Sequence, residues 1–330
     1  MAGEIQLNST TMATESSGII TLSNVDSATN RTNLGLGSMA TQNANAVALT
    51  GGSITGTTIV PTTPFSFRNR IINGNLSNPI NQRGAGSITA STGYTYDRWY
   101  YDGSTYLYQG IENKNVNNGT YVISWEGSGI NAAWKVSTDT TANNGPDATT
   151  GFTSVSNGGT FTVNEGTEYS KHLWIRFDGT LANLDKVMVE EGTVATPFEH
   201  RPYGTELALC QRYCYKKNNS ITDEFGFGVV QGGNYVKCQV ILPVRMRSAP
   251  TWLNPPTSLV TALSGSGQVF IYNFDTSAFL SLSGSLSTIN QLSVDGGGLY
   301  LSASVSFPGS AAGNACGIGL YDSPIFNAEL

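Results

Sequence analysis

The first 60 residues contain no Trp, Tyr or Phe, and every aromatic residue of the 330-residue chain lies beyond them. Arg31 is the only basic residue of this stretch, which is rich in Thr, Ser, Asn, Ala and Gly. Because ordering a chain must be offset by buried apolar area, such a segment cannot build a compact core alone. Residues 1–60 are therefore predicted to form an extended segment that packs against other chains.

One short helix is predicted in this segment, over residues 23–35, with Ser23 or Asn24 as its N-cap and Gly35 as its terminator. The glycines of residues 35–40 match the GxGxxA pattern of dinucleotide sites, but they follow a helix instead of a strand, so no cofactor is expected. Residues 47–59 give short β-prone pieces interrupted by glycine. Pro61 and Pro64 then mark the first domain boundary.

Residues 61–203 contain many short β-prone runs, including residues 120–125, 160–163 and 172–177, separated by turn residues. This spacing predicts an antiparallel sandwich or jelly roll. In residues 186–191, alternation places Val187 and Val189 on one face of a half-buried strand. Adjacent Glu190 and Glu191 then point to opposite faces, so they are expected to be one structural and one solvated carboxylate instead of a catalytic pair.

Residues 204–330 are predicted to open with a short helix leading into a strand, because Leu207, Cys210 and Cys214 fit helical spacing. Runs at residues 235–242, 268–272 and 299–307 then predict a second β-sandwich. Residues 204–255 carry an excess of basic side chains, whereas residues 256–330 contain no Lys or Arg. Neighbouring copies could therefore bring basic and acidic surfaces together. The whole chain is predicted to be all-β.

Composition excludes several classes of function. The net charge of −6 argues against nucleic-acid binding, and the lack of a long apolar run or a secretion signal predicts no membrane insertion and synthesis in the cytoplasm. The four cysteines form no CxxC pair, so we expect buried thiols, with neither disulfides nor a metal site. Two histidines and the absence of the short hydrolase signatures predict a non-enzyme with no catalytic residues.

Aromatic residues are concentrated in residues 94–108, which read YTYDRWYYDGSTYLY. Sugar rings stack their apolar faces on aromatic rings, and Asp and Arg side chains bind hydroxyl groups. Trp99 is expected in the core, and Asp97 and Arg98 are expected to be structural. The alternatives stay open for the tyrosines, which either fill the core or bind saccharide. The candidate ligand-binding residues are Tyr101, Asp102, Tyr106 and Tyr108.

Several phrases are similar to those of bacteriophage tail fibres. They are residues 31–47 (RTNLGLGSMATQNANAV), 49–56 (LTGGSITG), 70–75 (RIINGN), 81–84 (NQRG), 96–99 (YDRW), 187–201 (VMVEEGTVATPFEHR), 206–213 (ELALCQRY) and 326–330 (FNAEL). The chain departs from long fibres in having one shaft-like phrase and no repeated array. A short fibre is therefore expected.

The resemblance implies a homotrimeric, receptor-binding fibre of the virion tail. Residues 1–60 would attach to tail or baseplate proteins, residues 61–203 would form a jelly roll like a carbohydrate-binding module, and residues 204–330 would form a distal domain. The expected function is non-enzymatic attachment to host surface polysaccharide. Two alternatives stay open, namely a polysaccharide-degrading tailspike and a structural baseplate or neck fibre that binds no sugar.

Overall fold

The computed structural model describes residues 4–7, 10–16, 19–22, 67–137, 151–164, 171–217, 224–230, 235–254, 258–259, 268–279, 286–293, 296–303 and 312–329. Residues 1–60 and residues 61–330 form two separate compact units. The described part is β-sheet with one α-helix, so the all-β class is confirmed. The described residues include no helix that is long and apolar enough to cross a membrane.

The first unit contains a small antiparallel sheet that the sequence analysis did not anticipate. Its strands are β1 (Glu4–Leu7), β2 (Thr10–Ser16) and β3 (Ile19–Leu22), paired in that order. The helix predicted over residues 23–35 and the β-prone pieces at residues 47–59 lie outside the described residues.

Nine strands build the first half of the second unit. They are β4 (Gly93–Tyr94), β5 (Tyr100–Tyr101), β6 (Leu107–Ile111), β7 (Gly119–Glu126), β8 (Ile130–Ser137), β9 (Thr153–Val155), β10 (Thr160–Val163), β11 (His172–Gly179) and β12 (Asp185–Glu191). All pairings are antiparallel, in a six-stranded sheet of order β4-β5-β6-β11-β8-β9 and a three-stranded sheet of order β10-β7-β12. Short 3-10 helices cover Asn113–Asn115 and Leu181–Asn183. The strands predicted at residues 120–125, 160–163 and 172–177 are confirmed.

One apolar core lies between these two sheets. Trp99 is fully buried in it, as expected, and both sheets contribute side chains, among them Leu107, Ile123, Phe177 and Val189. Strand β12 is buried on both sides, not half-buried, because Met188 and Glu190 are covered as completely as Val187 and Val189.

The second half of the unit begins with helix α1 (Tyr203–Gln211), which leads directly into strand β13 (Cys214–Lys216), so the predicted helix-to-strand step is confirmed. Ten strands follow: β14 (Glu224–Val230), β15 (Tyr235–Ile241), β16 (Thr251–Trp252), β17 (Ser258–Leu259), β18 (Gln268–Asn273), β19 (Ala278–Phe279), β20 (Leu286–Ser293), β21 (Gly296–Ala303), β22 (Ala315–Leu320) and β23 (Ile325–Asn327). They form a sheet of order β17-β18-β22-β14-β15-β21-β20, with β19 on β18, and a small sheet of order β13-β23-β16. Their shared core includes Trp252, Ile271, Ile318 and Phe326.

A buried polar junction joins the two halves. Arg98 and Glu329 are both almost fully buried and form an ion pair, and Arg83 adds a second contact to Glu329 at 3.4 Å. The Arg98 guanidinium also lies 3.5 Å from the centre of the Tyr213 ring. The structural role predicted for Asp97 and Arg98 is confirmed, since Asp97 accepts hydrogen bonds from the backbone and side chain of Gln82.

Three of the four cysteines and the Glu190–Glu191 pair occupy the environments that their sequence context predicts, and the side chain of Cys238 lies outside the described residues. Cys210, Cys214 and Cys316 are buried thiols, and burial raises the pKa of each. Glu190 is buried and accepts hydrogen bonds from the backbone and hydroxyl of Thr196. Neighbouring Glu191 is exposed, so this pair is one structural and one solvated carboxylate as predicted.

Candidate functional site

Strands β6 and β11 carry the candidate site because alternation gives each strand two different faces. Leu107 on β6 and Ile175 and Phe177 on β11 point into the core between the sheets. The intervening side chains, Tyr108 on β6 and Trp174 and Arg176 on β11, therefore lie on the opposite face of the six-stranded sheet. Register places Tyr108 directly opposite Arg176.

A cluster of aromatic rings covers this outer side. We call it the aromatic face, and it consists of Tyr100, Tyr106, Tyr108, Phe152, Trp174 and Arg176. The Tyr108 ring lies centrally, with its centroid 6.3 Å from that of Tyr100, 6.0 Å from that of Tyr106 and 5.9 Å from that of Phe152. Tilted rings at these separations attract one another, which fixes the cluster.

Basic groups lie over the rings of the aromatic face. The Arg176 guanidinium carbon lies 4.2 Å from the centre of the Tyr106 ring and 4.7 Å from that of Phe152. Lys135 on β8 places its ammonium 5.8 Å from the Phe152 ring centre. Cation–π attraction holds the guanidinium between two rings, where it presents a rigid fork of N–H donors.

Buried polar atoms lie beneath these groups. Trp174 is only 1% exposed, and its indole N–H has no hydrogen-bond partner within the described structure. Burial raises the pKa of the Tyr108 hydroxyl, and the charge of Asp102 raises it further, so this hydroxyl stays protonated near neutral pH. Tyr108 is itself only 1% exposed and its hydroxyl is buried, so the accessible ring surface of the face comes from the partly buried Tyr100, Tyr106 and Phe152.

The structure brings together two of the four predicted ligand-binding residues. Tyr106 and Tyr108 belong to the aromatic face. Tyr101 pairs with Leu107 and packs against the core between the sheets instead. Asp102 closes a tight loop, because its Oδ1 accepts backbone N–H groups of Ser104, Thr105 and Tyr106 at 2.8, 2.8 and 3.0 Å.

The pKa of Asp102 fits this loop role. Partial burial raises the pKa, but the three backbone donors outweigh that effect and lower it below the ordinary value. The carboxylate is thus held as an anion by its own loop.

Four members of the aromatic face are absent from the predicted ligand-binding set, namely Tyr100, Phe152, Trp174 and Arg176. Alternation within the run at residues 172–177 could have placed Trp174 and Arg176 together on one face. The pairing of β11 with β6, which brings them to the tyrosines, joins residues more than 60 positions apart and has no local signal in the sequence.

Comparison of the chain with protein families, with curated proteins and with solved structures gives no match in any of the three. The described residues contain no group of three or more His, Cys, Asp or Glu side chains placed to hold a metal ion.

Proposed function

We propose that this protein is a non-enzymatic, receptor-binding tail fibre that attaches a virion to polysaccharide on the host surface. The observation that carries the proposal is the aromatic face, where the partly exposed Tyr106 and Arg176 lie over the buried Tyr108 on one side of the six-stranded sheet. Rings of this kind stack on the apolar faces of sugars, and a fixed guanidinium donates to sugar hydroxyls.

The proposed assembly follows the order of the chain. Residues 1–60 anchor the fibre to tail or baseplate proteins, residues 61–203 form a jelly-roll sandwich that binds sugar, and residues 204–330 form a second sandwich. Three copies associate, so weak single sites act together and their combined affinity exceeds that of one site. The virion tail is the proposed location, and no cofactor takes part.

A structural fibre that binds no sugar is the second candidate, and a specific observation favours it. Within the described residues, several of the phrases that carry the tail-fibre resemblance meet in buried or partly buried contacts. Arg83 and Arg98 contact Glu329, and Arg201 pairs with Glu206 at 3.0 Å. Their shared role is to fix the two halves of the unit to each other.

Adsorption measurements test the two candidates against each other. Purified full-length fibre should bind susceptible cells and compete with virus particles for them. Tyr106→Ala and Arg176→Gln should each weaken cell binding by about tenfold, the loss expected for one stacking or charged contact. Val194→Ala, at an exposed apolar side chain away from the aromatic face, is the matched control.

Two results would contradict the proposal. Failure of the wild-type fibre to bind cells or to block adsorption would favour the structural fibre. A fall in the length of host polysaccharide after incubation with the purified fibre would identify a degrading tailspike instead.

A further inference from the structure

A second site lies apart from the aromatic face, where the segment around Asn73 meets the start of helix α1. It is a pocket of about 210 Å³. We call it the polar pocket. Its lining includes Asn73, Asn78, His200, Arg201, Tyr203 and Glu206. This volume suits one small polar ligand and is below the usual range for larger organic molecules.

The inner wall of the pocket is rigid because its polar groups are bound to one another. Asn73 donates to the carbonyls of Ile80 and Asp97 at 2.8 and 2.9 Å. Arg201 is nearly buried and binds Glu206 at 3.0 Å and the carbonyl of Ile71 at 3.1 Å. A wall fixed in this way is preorganised, so a ligand need not order it on binding.

The mouth of the pocket carries side chains that are available to contact a ligand. Tyr203 is 70% exposed, and Phe198 and His200 stack edge to face with ring centroids 4.9 Å apart. Within the described structure, the side chains of Asn78, His200 and Tyr203 form no hydrogen bond. An aromatic surface beside an amide, an imidazole and a phenol offers both stacking and hydrogen bonds.

The charge of the pocket lining limits which class of ligand can bind. Glu199 and Glu206 bring two carboxylates to the pocket, and Arg201 brings one guanidinium that contacts both of them, at 3.6 and 3.0 Å. The pocket therefore has a net negative charge, which repels anions and leaves no free cation to receive a carboxylate or phosphate. A neutral polyhydroxyl ligand meets no such repulsion.

From these observations we infer that the polar pocket binds one neutral sugar unit, with the ring stacked on Tyr203 and its hydroxyls bound by Asn78 and His200. This site goes beyond the proposed function, because its lining shares no residue with the aromatic face. It would give each chain two separate sugar contacts.

Saturation-transfer NMR on the full-length chain tests the inference with glucose, galactose and N-acetylglucosamine, and with glucuronic acid as the acidic probe. At least one neutral sugar should bind, and glucuronic acid should bind more weakly. Tyr203→Ala and Asn78→Ala should each weaken the binding of the neutral sugar by about tenfold. Both side chains are exposed, so the unfolding midpoints should stay at the wild-type value.

The matched control is Val194→Ala, which removes exposed apolar surface outside the pocket and should bind sugar as the wild type does. Absence of binding by all three neutral sugars, equal binding of glucuronic acid, or unchanged binding after Tyr203→Ala would each overturn the inference. Cell adsorption through Tyr106 and Arg176 is measured separately. The proposal for the polar pocket and the proposal for the aromatic face can therefore be rejected independently of each other.

Discussion

At the scale of single residues, the Arg98–Glu329 pair is a buried charged contact between the two halves of residues 61–330. Glu329 is fully buried, and its carboxylate receives both the backbone N–H and the guanidinium of Arg98. A buried pair of this kind adds little compared with apolar packing, but removal of one partner leaves an uncompensated charge in the interior.

Glu329→Gln should therefore destabilise the protein by about 3–5 kcal/mol, because Arg98 and Arg83 lose their buried counterion while the side chain keeps its size. Urea unfolding of the full chain measures the change. Glu191→Gln is the control, since Glu191 forms a longer, more exposed pair with Arg70 at 3.7 Å and should cost no more than about 1 kcal/mol. If the two variants were equally stable, the buried pair would contribute no more to stability than the exposed Glu191–Arg70 pair.

Asp97 gives the junction a pH dependence. Burial raises the pKa of Asp97 to about 7, although Gln82 and Arg83 partly oppose the shift. The unfolded carboxyl ionises near 4, whereas the folded one holds its proton to about 7. The contribution of Asp97 to stability is therefore fully present below pH 4 and falls as pH rises from 4 to 7, by at most about 4 kcal/mol.

In Asp97→Asn, this fall should disappear, even though the amide is a poorer partner for Gln82 and the variant is less stable overall. His172 contributes the opposite slope in both proteins, because burial lowers its pKa and stability is lost as pH falls below its unfolded value. Urea midpoints between pH 4 and 7 give the difference between the two proteins. If the urea midpoints of the wild type and of Asp97→Asn change in parallel between pH 4 and 7, Asp97 is already ionised in the folded protein over this range.

At the scale of elements, Gly74 lets the segment around Asn73 lie directly against strand β12. The backbone carbonyl of Gly74 accepts the N–H of Val187 at 2.9 Å. A Cβ atom at position 74 would overlap the carbonyl oxygen of Val187, a backbone atom that cannot move aside alone.

Gly74→Ala should therefore destabilise the chain by about 1–3 kcal/mol, the usual cost of overpacking in a dense interior. It should also weaken sugar binding at the polar pocket, which Gly74 lines. Gly86→Ala is the matched control, because a Cβ there meets no atom within 4 Å, and it should change stability by no more than about 0.5 kcal/mol. A thermal melt distinguishes the two, and a tolerated Gly74→Ala would mean that this contact is loose.

The elements that could be predicted from sequence are those with a strong local pattern. Turn residues bound the runs that became β7, β10 and β11, and helical spacing marked α1. The sheet order could not be predicted, because β11 lies between β6 and β8 through pairings across long stretches of chain. The same reason explains why only part of the site could be predicted. Tyr106 and Tyr108 come from an obvious aromatic run, whereas Arg176 comes from β11 and Phe152 from the residue just before β9.

At the scale of the whole molecule, residues 1–60 form a unit of their own, so their removal should leave the rest folded. A chain of residues 61–330 is expected to keep the wild-type unfolding midpoint and to bind cells. It should be absent from assembled particles, because the proposed anchor is missing. Complementation of a virus lacking the gene, followed by detection of the chain in purified particles, tests this, and normal incorporation would contradict the anchor.

The large sheet carries an exposed apolar patch that the proposed trimer would cover. It consists of Phe227 and Val229 on β14 with Phe274 and Phe279 around β18 and β19. Phe227 is 64% exposed, and its ring lies 6.1 Å from that of Phe274. Contiguous exposed aromatic surface of this kind marks an interaction site more often than isolated side chains do.

If copies of the chain meet through this patch, Phe227→Lys and Phe274→Lys should each shift the full-length protein from trimer toward monomer, because a buried ammonium without a partner is strongly unfavourable. Light scattering across a dilution series measures the shift. Val194→Lys is the control, since Val194 is more exposed than either phenylalanine and is not part of the patch, and it should leave the trimer intact. A wild-type chain that stays monomeric at high concentration would remove the trimer from the proposal, and a trimer unaffected by both lysines would place its contacts elsewhere.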